Sequence, residues 1–440
     1  MTRVMIGLEV HVYLRTQSKL FCACSADFLA SRAANTQVCH VCTGQPGAKP
    51  LAPNAAALVA AVRLARALGM ELASSTQFLR KHYFYPDLPS NYQRTSEPIA
   101  TGGTLAGCAL TELHVEEDPG AYDPATGLVD YDRSGAPLIE LVTEPEIASP
   151  AHARRLLQEL RLALSYLGIG RDEAGIKADC NLSIDGGARV EVKNVNSVRN
   201  VERALQHELE RQQREGAVRE TRHFDEQTGR TTPLRAKETA ADYRFLADPD
   251  LRPVDLHAVA TATAREEGVF ARRARVAALA GVAEEDASAL LEERALADLF
   301  ERLPTRTAFH FLVRDVRGEL DFRKASLAAS GVSPGDIAAL LAAREEARIT
   351  PQVATRLLRH ALDHRGLGDE LAKELGATTD ASDVDAAARA AVAANPRAVA
   401  DWRAGKTSAI QFLVGQTMRQ LKGRGDAAVV RAAVERALQG

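Results

Sequence analysis

The sequence predicts an α+β protein in which an antiparallel-rich domain occupies roughly the first 250 residues and helices fill the rest. Three observations carry this. Segments alternating apolar and polar residues are interleaved with helical stripes, without a regular βαβα order. The helical stripes begin at residues suited to capping and end at glycine. After Pro253 the composition shifts to Ala, Leu, Arg and Glu, and strand-like runs become few.

The first alternating segment is Ile6–Val12. Side chains alternate along a strand, so Glu9 and His11 share one face while Leu8, Val10 and Val12 share the other. Asn54 is placed to cap a helix running to Gly69. A second alternating segment closes at His114-Val-Glu-Glu-Asp-Pro-Gly, and a third is Leu138-Ile-Glu-Leu-Val-Thr-Glu. Ser149-Pro150 opens a helix with Leu157, Leu160, Leu164 and Leu167 on one stripe and Gly168 after it. Glu191–Asn196 reads as a strand entering a helix at Ser197, whose stripe runs through Val201, Leu205 and Leu209. From about Val259 the chain reads as helical, with a new helix capped near Gly331-Val-Ser-Pro334.

At 440 residues two to four domains are expected, and large cores form without covalent staples. Net charge is −3 with 26% charged residues, so any nucleic-acid partner needs a local basic patch. The start reaches Arg3 with no apolar run, so no signal peptide is expected. The longest apolar run, Ala55–Leu68, is broken by Arg63 and Arg66, so no membrane span is expected. A cytoplasmic protein follows, whose six cysteines are thiols or metal ligands rather than disulfides.

Three alternating segments carry Glu9, His11, Glu116, Glu117, Glu140 and Glu144 among apolar neighbours. Half-buried carboxylates are costly without a positive partner, and a divalent cation, magnesium with phosphate ligands, is the simplest. Surface ion pairs are the alternative. Phosphate also needs cations and N–H donors. Arg80 and Lys81 precede the aromatic run Tyr83-Phe84-Tyr85 and Asp87, which reads either as an ATP or substrate contact or as core packing. Lys193, Asn194 and Ser197 stand at a helix start, where free N–H groups suit an anion; an ordinary N-cap at Ser197 reads equally well.

Cys22-x-Cys24 and Cys39-x-x-Cys42 lie 14 residues apart, the spacing of a structural zinc site with four protein ligands. The alternatives are four unrelated thiols, or His40 replacing one cysteine. Cys108 and Cys180 have no close partner and read as small buried residues. Arg344, Arg348, Lys406, Arg419, Lys422 and Arg424 in the tail read as a solvated helix face or as phosphate contacts to RNA.

The stretches IGLEVHVYLRTQSKLFC (6–22), YFYPDLP (83–89), HVEEDPG (114–120), VDYDRSGAPLIELVTEPEI (129–147), KADCNLSI (177–184), EVKNVNSVRNVERAL (191–205), DYRFLADPDL (242–251) and NPRAVADWRAGKTSAIQFLVGQTM (395–418) occur in this order over nearly the whole chain. Together they resemble the B-subunit family of the aspartyl/glutamyl-tRNA(Asn/Gln) amidotransferases. The resemblance implies a cradle over 1–258, similar to the glutamine synthetase and guanidino-kinase catalytic fold. It further implies a helical domain over 259–330 and a YqeY-like tRNA-binding tail over 331–440.

It implies ATP-dependent phosphorylation of the side-chain carboxylate of Asp-tRNA(Asn) or Glu-tRNA(Gln), then amidation by ammonia from a glutamine-amidase A subunit, with a small C subunit completing the assembly. By resemblance His11, Glu117 and Glu140 bind Mg2+ with Glu9 beside them, Cys22, Cys24, Cys39 and Cys42 form a zinc knuckle, and Arg133 joins the ATP and substrate contacts. Three stretches depart from the usual family pattern: Tyr92-Gln-Arg-Thr-Ser96 stands where Tyr-Gln-Ile-Ser-Gln is usual, Ala121 follows Gly120 where Lys is frequent, and His82 follows Arg80-Lys81 where Asn is common. The EEDPG form and the KNVNSVRNVE run resemble archaeal members, which implies Asp-tRNA(Asn) as substrate. A non-catalytic zinc-dependent RNA-binding protein would need the cysteines and the tail but not the acidic set, and a free-standing ligase would turn over without tRNA.

Overall fold

The computed structural model describes residues 3–30, 33–171, 175–234, 244–376, 381–406, 408–421 and 427–439. Lys422 and Arg424 lie outside the described residues, as do Asp242 and Tyr243 at the start of the 242–251 stretch. The chain divides into two compact units, Met1–Arg272 and Arg273–Gly440.

The first unit is built on one large sheet. Its main path uses β1 (Val4–Tyr13), β2 (Phe78–His82), β3 (Tyr92–Ser96), β4 (Cys108–Glu117), β5 (Pro137–Thr143), β6 (Ile176–Ile184), β7 (Val190–Asn196), β8 (Glu220–Asp225), β9 (Arg230–Pro233) and β10 (Leu246–Ala247). The spatial order is β9-β8-β7-β6-β1-β5-β4-β3-β2-β10. Neighbours run antiparallel except the parallel pair β7–β8. The first strand of the chain therefore lies inside the sheet, between β5 and β6.

The alternation in the sequence decides which face is covered. Ile6, Leu8, Val10 and Val12 are buried, as are Ile139 and Leu141 on β5 and Ala178, Cys180 and Leu182 on β6. In the register Leu8 faces Cys180 and Val12 faces Ile139, so these side chains form one apolar face. Three helices cover it. Helix α1 (Ala55–Ala67) packs on β4 and β5, α3 (Val198–Glu215) packs on β6, β7 and β9, and α2 (Pro150–Leu167) packs against both helices. The caps are those expected: Asn54 accepts from Ala56 N–H at 2.9 Å, Ser149 from His152 N–H at 3.1 Å and Ser197 from Asn200 N–H at 3.3 Å. Gly168 ends α2 at φ +64°, a left-handed conformation that glycine adopts without a Cβ penalty. Cys108 and Cys180 are both fully buried.

Helix α3 departs from its expected stripe. Val201 and Leu205 are buried, but the next buried position is Glu208 rather than Leu209. Glu208 accepts from Arg211 at 2.7 Å, Thr231 at 2.9 Å and Gln212 at 2.9 Å, and Arg222 lies 3.5 Å away. Burial would raise its carboxyl, yet these donors hold it below the usual carboxylate range. Glu208→Ala removes the acceptor shared by Arg211, Gln212 and Thr231, while Arg211 and Arg222 keep Glu220 at 3.1 and 2.8 Å, and is expected to cost about 1–3 kcal/mol in urea unfolding. A depressed folded value stabilises the fold above the unfolded pKa of about 4.3 and loses that contribution as pH falls. The gap between wild type and variant should therefore close in acid.

The second unit is helical among its described residues. Ser333 and Asp336 form a reciprocal capping box at the helix Pro334–Glu345, with Pro334 in its first turn. Val384, Ala388, Ile410, Leu413, Val430, Val434 and Leu438 form a core near the end of the chain. No described helix is long and apolar enough to cross a membrane.

Candidate active site and metal centre

The sheet face opposite the helices is polar. His11 on β1 stands between Glu140 on β5 and Lys177 on β6, and Glu9 stands opposite Asp179. One strand further, Glu140 is level with His114, and Glu116 with Leu138. This face floors a cleft of about 1040 Å³. Its walls include Tyr13, Lys81, His82, Tyr83, Phe84, Tyr85, Asp87, Gln93, Asp118, Arg133, Lys193, Asn194, Asn196, Arg244 and Leu246.

On this floor His11, Glu116 and Glu140 bring one donor atom each within 4.8 Å of one another. His11 Nε2 lies 4.0 Å from Glu116 Oε2. Burial pushes the Glu140 carboxyl well up, and the Glu116 charge beside it pushes the same way. Glu116 is held below the ordinary range, against its own burial, by Lys81 and His11. Two carboxylates this close do not both ionise without a positive partner. A divalent cation fits that need, and two carboxylates and an imidazole leave positions for water or phosphate oxygens. Gln93 holds Glu116 in place, donating to Oε2 at 3.2 Å and to the Glu117 carbonyl at 2.9 Å, while Tyr83 O–H donates to Gln93 at 3.2 Å.

A second acidic group, Glu9, Asp179 and Glu191, lies beside the first. Burial and the two neighbouring carboxylates raise Glu9. Lys193 partly offsets this charge at 3.1 Å from Glu191 and 3.3 Å from Asp179.

Glu117 points to the opposite face. Its carboxylate accepts from Arg94 N–H and from Arg94 Nη1, each at 3.1 Å. Arg94 also donates to Asp248 at 2.7 Å, and Arg80 donates to the same carboxylate at 3.0 Å. Glu117 and Arg80 thus belong to an ion network behind the floor. Ser197 caps α3 and is not among the cleft's lining residues. Lys81, Tyr83, Tyr85, Asp87, Arg133, Lys193 and Asn194 do line the cleft.

The four cysteines converge as their spacing predicts. The sulfurs of Cys22, Cys24, Cys39 and Cys42 lie within 4.8 Å of one another, and Cys39 to Cys42 is 4.0 Å. Zinc–sulfur bonds of about 2.3 Å in a tetrahedron require sulfurs about 3.8 Å apart, so the set fits zinc. His40 is exposed and outside this group. A hydrogen bond from Cys22, with help from the Cys39 N–H at 3.2 Å and the Lys19 ammonium at 3.4 Å, lowers the Cys42 thiol to about 5. Lys19 is fully buried and also donates to the carbonyls of Gln37 at 2.9 Å and Tyr131 at 3.2 Å. It ties the knuckle to the segment that carries Arg133.

In the second unit Arg344 lies over the Phe311 ring, 3.5 Å from Asp315. Arg348 pairs with Glu346 at 2.6 Å and Lys406 with Asp401 at 2.8 Å, while Arg419 is exposed.

Comparison with known proteins shows the family. Residues 4–261 match the family model described as the GatB/GatE catalytic domain, and residues 295–438 match the model described as the GatB domain. A protein of Methanopyrus kandleri, named as the B subunit of an aspartyl/glutamyl-tRNA(Asn/Gln) amidotransferase, is 44% identical, covering 97% of this chain and 96% of its own. Proteins of the same name from Methanosphaera stadtmanae and Methanothermobacter thermautotrophicus are 42% and 43% identical, each over 96% of this chain and 97% of its own. The chain belongs to the GatB/GatE family.

Within this GatB/GatE chain, sequence reasoning counted Glu116 in the acidic set but not among the metal ligands. It did not single out Gln93, Tyr13, Asp118, Lys177, Asp179 or Glu191 as site residues. A signal was present for two of these. Lys177 and Asp179 alternate with Ala178 and Cys180, as Glu9 and His11 alternate with Leu8 and Val10. Arg94 is the residue that holds Glu117.

Proposed function

We propose that this chain phosphorylates, with ATP, the side-chain carboxylate of Asp-tRNA(Asn) or Glu-tRNA(Gln) and then converts it to the amide. Its family membership and the gathering of His11, Glu116 and Glu140 on the floor of a cation-lined cleft support the reading. A carboxylate is a poor electrophile, and making it an acyl phosphate supplies a leaving group for attack by ammonia. Mg2+ held by His11, Glu116 and Glu140, with Glu9 beside them, would offset charge on the transferring phosphoryl group. Lys81, Lys193 and Arg133 are the cations that receive phosphate oxygens. The N–H groups at the start of α3 add an anion-favouring end beside Asn194 and Asn196.

We assign Cys22, Cys24, Cys39 and Cys42 to a structural zinc. The three-part division at 258 and 330, and a cradle similar to the glutamine synthetase fold, belong to the same reading. So does a cytoplasmic complex with an A subunit that releases ammonia from glutamine and a C subunit that joins the pair. In the tail, Arg419, Arg348 and Lys406 are the candidate tRNA contacts, since phosphate can displace the exposed carboxylates that Arg348 and Lys406 hold; Lys422 and Arg424 complete the set. Arg344, packed on Phe311, serves the fold. The name shared by the relatives covers both tRNA substrates.

The test is amidation by the chain co-purified with its A and C partners, given Asp-tRNA(Asn) and Glu-tRNA(Gln) separately with ATP, magnesium and glutamine. Asn-tRNA or Gln-tRNA is the expected product. Tight tRNA binding with neither product would overturn the kinase assignment in favour of an RNA-binding protein.

A further inference from the structure

Lys177 differs from Lys193 and Arg133, two other cations of the cleft, in what surrounds it. Lys193 is bracketed by Asp179 and Glu191, and Arg133 lies 2.8 Å from Asp118. Lys177 stands level with His11 in the β1–β6 register and lines the cleft. Its ammonium donates to Tyr13 O–H at 3.1 Å and sits 5.3 Å from the centre of that ring. The Tyr13 proton is committed to Asp118 at 2.6 Å, so the phenol oxygen is fixed as an acceptor. Among the described residues no carboxylate lies within 4.0 Å of the Lys177 ammonium. An ammonium has three donors, and Tyr13 takes one. A half-buried cation whose two other N–H groups have no hydrogen-bond partner among the described residues, beside a candidate metal set, is built for an anionic group of the substrate.

We propose that Lys177 is a catalytic residue that binds the side-chain carboxylate of the esterified amino acid and orients one of its oxygens for phosphorylation. The inference rests on the reaction proposed above and adds the residue that recognises the reacting group. In the first step that oxygen bonds to the γ-phosphorus of ATP as the bond to the β–γ bridging oxygen breaks, releasing ADP. In the second, the ammonia nitrogen bonds to the carbonyl carbon and the carbon–oxygen bond to phosphate breaks, with one N–H proton leaving on the phosphate. Lys177 stays on the acyl oxygen through both, because that oxygen carries negative charge first as carboxylate and again in the tetrahedral intermediate.

The test uses Lys177→Met and Lys177→Arg in the assembled enzyme. Lys177→Met is expected to lower kcat/KM for the aminoacyl-tRNA on the order of 10²-fold while leaving the KM for ATP and the affinity for uncharged tRNA unchanged. It should also erase any preference for aminoacylated over uncharged tRNA. Lys177→Arg, which keeps the charge, should recover much of the loss. Should the Met variant melt early, Lys177→Gln, which retains a donor to Tyr13, takes its place. Wild-type kinetics in the uncharged variant, a change in the KM for ATP instead, or an Arg variant as defective as the Met variant would each overturn the proposal. Failure of the wild-type enzyme to form amide would instead count against the reaction on which the proposal rests.

Discussion

In the assembled enzyme, Glu116→Gln is expected to lower ATP-dependent amidation by roughly 10²-fold or more with little change in melting temperature, and Glu117→Gln to do the reverse. The two residues are neighbours in sequence, but the pleat sends them to opposite faces of β4. Glu116 shares the cleft floor with His11 and Glu140, so losing its charge removes one of three candidate cation ligands. Glu117 is spent on Arg94 behind the floor. Its loss leaves Arg94 with Asp248 and the Tyr92 hydroxyl, at a cost of about 1–3 kcal/mol to the fold. Amidation assays and thermal melts on both variants decide the matter. An inactive, normally stable Glu117→Gln beside an active Glu116→Gln would move the cation site to the other face.

Loss of the knuckle metal should be felt across the first unit. Cys22→Ser is expected to release the zinc and to lower the melting temperature of this unit by on the order of 10 °C, because binding free energy at a structural thiolate site is folding free energy. Metal analysis of the purified chain and a melt with and without chelator provide the check. Lys19 spreads the effect. Its ammonium bridges Cys42 to the Tyr131 carbonyl, and Ser134 donates to the Cys42 carbonyl at 2.8 Å, so the segment carrying Arg133 is braced against the knuckle. Amidation should therefore weaken along with stability, through the KM for phosphate-bearing substrates. A wild-type chain that carries no zinc, with a melt unaffected by chelator, would sink this assignment.

Local chemistry was legible in the sequence. The caps at Asn54, Ser149, Ser197 and Ser333, the glycine stop at Gly168 and the shared face of Glu9 and His11 follow from rules that act within a few residues. What was not legible depended on long-range register. Alternation separates Glu116 from Glu117 but does not say which of them meets His11; the pairing of β4 to β5 to β1 decides that. Arg80 and Lys81 differ in the same way. Lys81 faces the cleft, and Arg80 is drawn behind it by Asp248, a residue far along the chain. Glu208 was hidden for another reason: a carboxylate reads as surface until the partners that bury it, Arg222 and Thr231 on other elements, are known.

The interior position of β1 bears on how the molecule is made. Its two partners are completed only at residues 143 and 184, so this strand waits for more than a hundred residues of further synthesis before either edge is paired. During that interval Ile6, Leu8, Val10 and Val12 form an alternating apolar strand with open hydrogen-bonding edges, the kind of segment that chaperones cover and other nascent chains capture. Synthesis paused before residue 184 should yield aggregation-prone chains. A truncated chain lacking the first dozen residues should lose the whole sheet, since it removes an inner stave and leaves β5 and β6 without a common neighbour.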